Sequence, residues 1–478
     1  MNLKGICYYL SLSCYPVTFL SFFNILYSSY FDHYLNLDSY LITLFLSLIF
    51  SITLYLISKN AEKNISFGEQ LLLMFLTYLV LSLLISVPYY LSYYQLTFID
   101  SFFEATSGLT TTGFTVLSNI KLLDPTLIIW RSSSQWIGGL FFLIFLILIF
   151  SNFKNEFKLT HLVFNPDRAT NLYKDTKVIV TKVFFLYLFL TAIIFILFTF
   201  SGVRLFNGFN LAMTISSTGG FLPTNELSNI IRSYPQKIIL LIGLLFSALN
   251  LYFFYSLFSN LNTFKKHYED ILILLIIIFF SLIFFISLGN VNFVNSLISV
   301  VSSISNSGIT FYTPPKNFYL FFIFLTILGG SVISNSSGIK LIRIYILLKS
   351  SMLEIFRLVT PNIIINQSIL KTEYRIDNNN LNGSFLIFIC FFISIFILSS
   401  ILTLGGLNFE NSFKLSILTI TNTVNSNLFG LSEISFSELL TSSKFFLILF
   451  MILGKIELIT LLLILKKLNS FIYNYFKY

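Results

Sequence analysis

The sequence predicts an all-α polytopic membrane protein: four pseudo-repeats of helix, reentrant loop and helix around one central path, preceded by two extra N-terminal transmembrane helices. Three observations carry that expectation. Of 478 residues, 56% are hydrophobic and only 10% are charged, whereas a soluble chain carries roughly a quarter charged residues. Apolar windows that reach the ~20 residues a bilayer-spanning helix needs recur along the whole length. Clusters of Ser, Thr, Asn and Gly interrupt them in four places: "SGLTTTGF" (107–114), "ISSTGGF" (215–221), "SSISNSGI" (302–309) and "TNTVNSNLF" (421–429).

The apolar windows place about ten spans, near 7–29, 39–57, 70–93, 126–151, 177–201, 237–260, 270–289, 318–347, 384–405 and 443–466. Basic residues fall in alternate connections. Lys59 and Lys63 share one, and Lys154, Lys158, Arg168, Lys174, Lys177 and Lys182 lie in or beside the next. Lys265 and Lys266 follow, then Lys349, Arg357, Lys371 and Arg375, and finally Lys466, Lys467 and Lys477. This alternation puts both termini in the cytoplasm by the positive-inside rule. It also accounts for the net charge of +9 without a nucleic-acid partner; the bilayer is the partner the composition implies. The apolar stretch after Lys4 lacks a small-residue cleavage site and is expected to stay as a signal anchor. Cys7, Cys14 and Cys390 sit in apolar runs and read as small buried hydrophobes.

The four clusters share a setting. Each follows a span and a short amphipathic run too short to cross, and their centres are separated by roughly 90 to 120 residues. The expected organisation is a helical pair at 1–64, then repeats at 65–160, 161–263, 264–375 and 376–478, the third with a broken second helix.

Polar backbone at membrane depth is tolerated only where it is buried in protein or lines a water-filled path. One such cluster alone reads as an ordinary extracellular turn. Four in the same setting read as one pore. A potassium ion sheds its water when converging loops offer carbonyl oxygens, Gly permits the required backbone angles, and Thr and Ser add hydroxyl oxygens without bulk. A short helix entering from outside would aim its negative C-terminal end at the cation. Intramembrane catalysis is poorly supported, since His33, His161 and His267 fall in loops and no HExxH, nucleotide loop or Ser–His constellation occurs in the spans.

The residues at this point resemble the Trk/Ktr/HKT superfamily of potassium transporters. "FFEATSGLTTTGFTVL" looks like its first selectivity filter, "LIIWRSSSQWIGGL" (127–140) like the helix that follows, and "STGGF" (217–221) like the second filter. "GGSVISNSSGIKLIR" (329–343) resembles the break in the third repeat's second helix, and "MILGKIELITLLLIL" (451–465) the last helix. The resemblance spans roughly residues 65–467, and the two extra N-terminal spans make the chain more similar to the Trk-type subunit than to the shorter Ktr type.

The resemblance implies K+ as the transported ion, no organic cofactor in this chain, and coordination by four residue sets. These are Thr110, Thr111, Thr112 and Gly113; Ser217, Thr218, Gly219 and Gly220; Ser305, Asn306, Ser307 and Gly308; and Asn425, Ser426 and Asn427, where an ungapped alignment puts Leu428 in the glycine slot. It implies an intramembrane gate at Gly329, Gly330, Ser331, Ser334, Asn335, Ser336, Ser337 and Gly338, against the alternative of a tolerated kink. Lys340 and Arg343 follow the break and either snorkel to the interface or oppose cations near the gate. Lys455 and Glu457 are expected to find structural partners on neighbouring helices, and Glu104 to brace the first filter. A homodimer bound on its cytoplasmic face by a nucleotide-binding (TrkA/KtrA-like) regulatory subunit is implied, in the cytoplasmic (inner) membrane. Sodium-coupled potassium symport on the same scaffold, and a non-conducting scaffold or receptor with a degenerate pore, are the alternatives.

Overall fold

The computed structural model describes residues 2–63, 65–152, 176–254, 267–288, 292–359, 376, 378–431 and 434–456. Their regular structure is helical. Helices α1 (Leu3–Tyr30) and α2 (Leu37–Ile57) form the N-terminal pair, packed on each other and on α3 (Phe67–Tyr90). Ser66 starts α3 with a capping box, its backbone N–H donating to Glu69 at 2.8 Å, which satisfies two of the donors every helix start leaves open. Asn36 joins the pair to the first repeat by donating to Asp124 at 3.0 Å.

Repeat 1 comprises α3, the short α4 (Phe98–Leu109) and α5 (Pro125–Asn152). Repeat 2 comprises α6 (Thr176–Phe200), α7 (Leu205–Ser216) and α8 (Tyr234–Ala248). In repeat 3, α9 (Tyr268–Leu288) and α10 (Phe293–Ile304) precede a second helix split into α11 (Tyr319–Leu328) and α12 (Leu341–Val359). Repeat 4 comprises α13 (Asn378–Leu404), α14 (Phe409–Ile420) and α15 (Thr441–Ile456). Each short helix packs against the second helix of the repeat before it: α7 on α5, α10 on α8 and α14 on α11. Helix α15 packs on α4, so the four repeats close into a ring. Lys444 of α15 fastens that closure, 2.6 Å from Asp100 of α4.

Seven helices are long and apolar enough to cross a membrane among the described residues: α1, α2, α3, α5, α6, α9 and α13. The outer faces of α9 and α13 leave Leu275, Phe279, Ile286, Phe392 and Phe396 exposed. An apolar surface of that extent is satisfied by lipid; the protein is an integral membrane protein. The three remaining expected spans are the second helices of repeats 2, 3 and 4. The first stops at Ala248 because Leu249 is extended, with ψ 165°. The second breaks between Leu328 and Leu341. The third is described only to Ile456, so Glu457 and the rest of that span lie outside the described residues, as do Lys154, Lys158, His161, Arg168, Lys174, Lys265, Lys266, Lys371, Arg375, Lys466, Lys467 and Lys477. Cys14 is buried, Cys7 and Cys390 are half-buried, and all three are free thiols.

Candidate functional site: four helix ends on one axis

The four short helices α4, α7, α10 and α14 are each 12 residues long. They also stop in the same way. Thr111, Thr218, Asn306 and Asn422 follow the helix caps in the left-handed region, with φ 61°, 60°, 64° and 48°. Their N–H groups donate to Gly108, Ile215, Ser303 and Thr419 at 3.0, 3.2, 3.1 and 3.2 Å. The next N–H groups, of Thr112, Gly219, Ser307 and Thr423, reach back to Ser107, Thr214, Ser302 and Leu418 at 2.9, 2.8, 3.0 and 2.9 Å. This pair of bonds is the Schellman motif. Glycine usually holds its left-handed position. Here two β-branched threonines and two asparagines hold it, and only asparagine visits that region readily.

The register of the motif identifies the residue that follows each turn: Gly113, Gly220, Gly308 and Val424. These four meet. A methyl carbon placed on Gly113 would lie 3.0 Å from both the Cα of Gly220 and the Cγ2 of Val424, and one on Gly308 would lie 2.5 Å from the Cγ1 of Val424. All four line one cavity of about 600 Å³.

The first three candidate sets therefore occupy equivalent places, and the fourth does not. The counterpart of Thr110–Gly113 in repeat 4 is 421–424. Asn425, Ser426 and Asn427 lie beyond the turn and line the same cavity. Leu428 is fully buried, away from the glycine slot. The ungapped alignment slipped by four residues because 421–427 is polar at nearly every position and has no glycine to mark the slot after the turn.

Side chains tie neighbouring loops together. Asn422 Nδ2 donates to Thr112 Oγ1 at 3.0 Å, and Asn306 Nδ2 donates to Thr423 Oγ1 at 3.1 Å. Within loops, the hydroxyls of Thr110 and Thr112 are 2.7 Å apart and those of Thr421 and Thr423 are 2.9 Å apart. The Oδ1 atoms of Asn306 and Asn335 are buried with no donor among the described residues, so oxygen acceptors are in surplus here.

The break in repeat 3 lies against these turns. Gly329 and Gly338 bound it in left-handed conformations, φ 65° and 83°. A methyl carbon on Gly329 would sit 2.3 Å from the carbonyl oxygen of Ser337, a closeness only glycine allows. Asn335 Nδ2 donates to Ser216 O at 2.7 Å, its carbonyl accepts from Thr218 Oγ1 at 3.3 Å, and Ser337 Oγ is 3.3 Å from Asn422 Oδ1. From the other side, Ser331 N–H donates to Ala248 O at 3.0 Å and Val332 N–H to Glu269 Oε1 at 3.1 Å. Gly330 N–H donates to Ser336 Oγ at 3.0 Å.

Lys340 does not snorkel. It is buried and donates to the carbonyls of Ser331 (3.1 Å), Ser334 (3.5 Å) and Ser336, holding the loop from within. Arg343, also buried, donates to Ile339 O at 3.4 Å. Lys455 corrects its expectation. Its ammonium donates to Thr111 Oγ1 at 2.8 Å and to Asn335 O at 3.2 Å, so it bridges the first turn and the broken segment instead of serving a neighbouring helix. Sequence reasoning saw a costly intramembrane charge; only the fold shows where it ends.

Glu104 braces, as the sequence suggests. It pairs with Arg131 at 3.0 Å, both buried, and accepts from Val116 N–H and Thr115 Oγ1 at 2.9 Å each. The guanidinium lies 4.0 Å from the Phe221 ring centroid, a cation–π contact. One ion pair thus joins the first two loops. Arg131 and Gln135 were not singled out from sequence, and 421–424 was quoted within the fourth cluster without being assigned as coordinating. Gln135, which accepts from Phe221 N–H at 3.3 Å, gave no signal by residue type.

Comparisons with known proteins agree with this architecture. The family described as "TrkH: Cation transport protein" matches residues 38–268. An uncharacterized cation transporter of Methanocaldococcus jannaschii is 26% identical over 392 residues, 78% of each chain. The Trk system potassium uptake protein TrkG of Escherichia coli is 25% identical over 430 residues, 84% of this chain and 85% of that one. The crystal structure of the potassium transporter TrkH from Vibrio parahaemolyticus superposes with TM-score 0.82 at 21% identity, covering 97% of this chain and 99% of that one. With four equivalent helix ends closing inside a membrane-spanning helical ring, the chain is similar over residues 38–268 to the TrkH family of cation transport proteins and shares the fold of a potassium transporter.

Proposed function

We propose that this chain mediates potassium uptake across the cytoplasmic membrane through a filter made by loops 110–113, 217–220, 305–308 and 421–424. The observation that carries the reading is the fourfold match of helix length, Schellman ending and converging turn. Those turns spend their N–H groups on the helix ends, and the loop carbonyls replace the water a potassium ion sheds. The helix C-termini add favourable negative potential. Relatives named as Trk system potassium uptake proteins support the choice of ion.

The segment 329–340 is the gate in this reading, since it touches the second and fourth loops directly and the first through Lys455. The repeats take the bounds 65–160, 161–263, 264–375 and 376–478. Both termini are cytoplasmic, and a homodimer meets a nucleotide-binding, TrkA-like regulatory subunit there; relatives named as Trk system potassium uptake proteins support this reading. Membrane potential drives inward flux at about 2.3 kcal/mol per charge per 100 mV.

Potassium flux into liposomes holding the purified chain tests the reading. Gly113→Ser is expected to weaken potassium preference over sodium, because a side chain at φ 82° costs roughly 1–2 kcal/mol and crowds Gly220. Unchanged relative permeabilities would remove 107–117 from the filter. Uptake that requires external sodium would favour symport on the same scaffold.

A further inference from the structure

Three of the four loops present glycine at the outer end of the turn, and the fourth presents Val424. The ring order decides what that valine does. Packing runs from repeat 1 to 2, 2 to 3, 3 to 4 and 4 back to 1, so repeats 2 and 4 face each other across the axis. A methyl carbon on Gly220, the opposite glycine, would lie 2.4 Å from Val424 Cβ, 2.8 Å from its Cγ2 and 2.9 Å from its Cγ1. The valine side chain therefore reaches across the axis to the far loop. It also meets the loops on either side. Its Cγ1 would be 2.5 Å from a methyl carbon on Gly308, and its Cγ2 3.0 Å from one on Gly113. A group that touches all three other loops of a closed ring stands in the middle of it.

Val424 is half-buried and forms part of the lining of the same cavity, together with the three glycines. Water and ions arriving from outside thus meet an isopropyl group at the level where the other loops offer bare backbone. Its neighbours on the inner side are hydroxyls, Thr421 and Thr423, so the apolar group is local to the mouth. Hydrophobic constrictions restrict ion passage by dewetting, because an ion cannot exchange its water for carbon.

We infer that Val424 is the flux- and selectivity-limiting residue of this pore, an apolar plug set across the outer end of the filter. The inference rests on the potassium-filter reading above. The plug narrows the mouth for every cation and sets carbon where the other loops leave the axis open, so potassium is passed slowly and discriminated weakly. A fourth glycine would complete the ring.

The test is rubidium and potassium uptake by the full chain in liposomes at equal amounts of folded protein, comparing the parent with Val424→Gly, Val424→Ala and Val424→Ile. Flux is expected to rise at least about tenfold in the glycine variant, with an intermediate rise for alanine and a fall for isoleucine. The preference for potassium over sodium is expected to sharpen in Val424→Gly. Should the glycine variant not fold, the alanine and isoleucine pair decides by the same order. A parent that conducts while flux and selectivity stay the same across the series overturns the plug and leaves the filter reading standing. Folded parent and folded variants that all fail to conduct overturn the filter reading itself. Val424→Cys gives an independent readout: a membrane-impermeant thiol reagent added outside is expected to block its flux, and full flux after complete labelling would remove the side chain from the path.

Discussion

Replacing Lys455 with methionine is expected to raise potassium flux by about one to two orders of magnitude. The ammonium lies beneath the first turn, 2.8 Å from Thr111 Oγ1, and reaches the broken segment through Asn335 O at 3.2 Å. It is buried, with the Phe142 ring centroid 4.5 Å away. Whenever this amine carries its proton, it repels a potassium ion on the axis. At a separation of about 6 Å and an effective dielectric near ~20, the repulsion is roughly 3 kcal/mol. Each ~1.4 kcal/mol is a factor of ten in rate. Methionine keeps the length and most of the volume but removes the charge and both hydrogen bonds. The segment 329–340 then loses its tie to the first loop and keeps those to Ser216 and Asn422. Initial uptake rates at matched amounts of folded protein check this. Flux equal to the parent's would place the ammonium away from the ion path.

The second large effect is structural. Gly138 of α5 supports the end of the first short helix: a methyl carbon there would lie 1.8 Å from the carbonyl oxygen of Leu109 and 2.7 Å from its carbonyl carbon. Those are backbone atoms one residue before Thr110, so nothing flexible can give way. Ordinary overpacking costs ~1–3 kcal/mol, and overlap with a fixed backbone lies at or above the top of that range. Gly138→Ala is expected to cut the yield of folded protein, lower its unfolding temperature in detergent, and abolish most flux in what remains. Gly454 has the same place in repeat 4, 2.3 Å from the Ile420 carbonyl oxygen by the same construction. Gly208 is the control, since its nearest neighbour would be 3.5 Å away and alanine is the better helix former. A Gly138→Ala protein as stable and active as Gly208→Ala would contradict the close approach.

The contrast between these positions shows what the sequence makes legible. Among the described residues hydropathy located the seven long apolar helices because lipid imposes a continuous apolar surface, and the run 107–114 revealed a reentrant turn because threonine and glycine at membrane depth demand an explanation. The third and fourth turns were harder. In 305–308 the polar residues kept the register visible, with Gly308 in its slot. In repeat 4 the turn begins at Thr421, directly after the apolar "LSILTI" of α14, and has no glycine until Gly430. Composition therefore drew the expected site to Asn425, Ser426 and Asn427, four residues too late. The backbone hydrogen bonds of Asn422 and Thr423 restored the register, and with it exposed Val424. Lys455 and Gln135 were illegible for another reason. Their partners, Thr111 and Phe221, lie far away in sequence; ring closure brings Lys455 to Thr111, and the packing of repeat 1 on repeat 2 brings Gln135 to Phe221.

The central claim is that four helix ends converge on one ion path, and heavy-ion crystallography tests it most directly. Crystals of the full chain grown in rubidium should show anomalous density on the axis, bounded by residues 110–112, 217–219, 305–307 and 421–423, with Val424 above it. Density confined to the cavity that Val424 lines or to the periphery of the helices, in protein that still conducts rubidium in liposomes, would contradict the account.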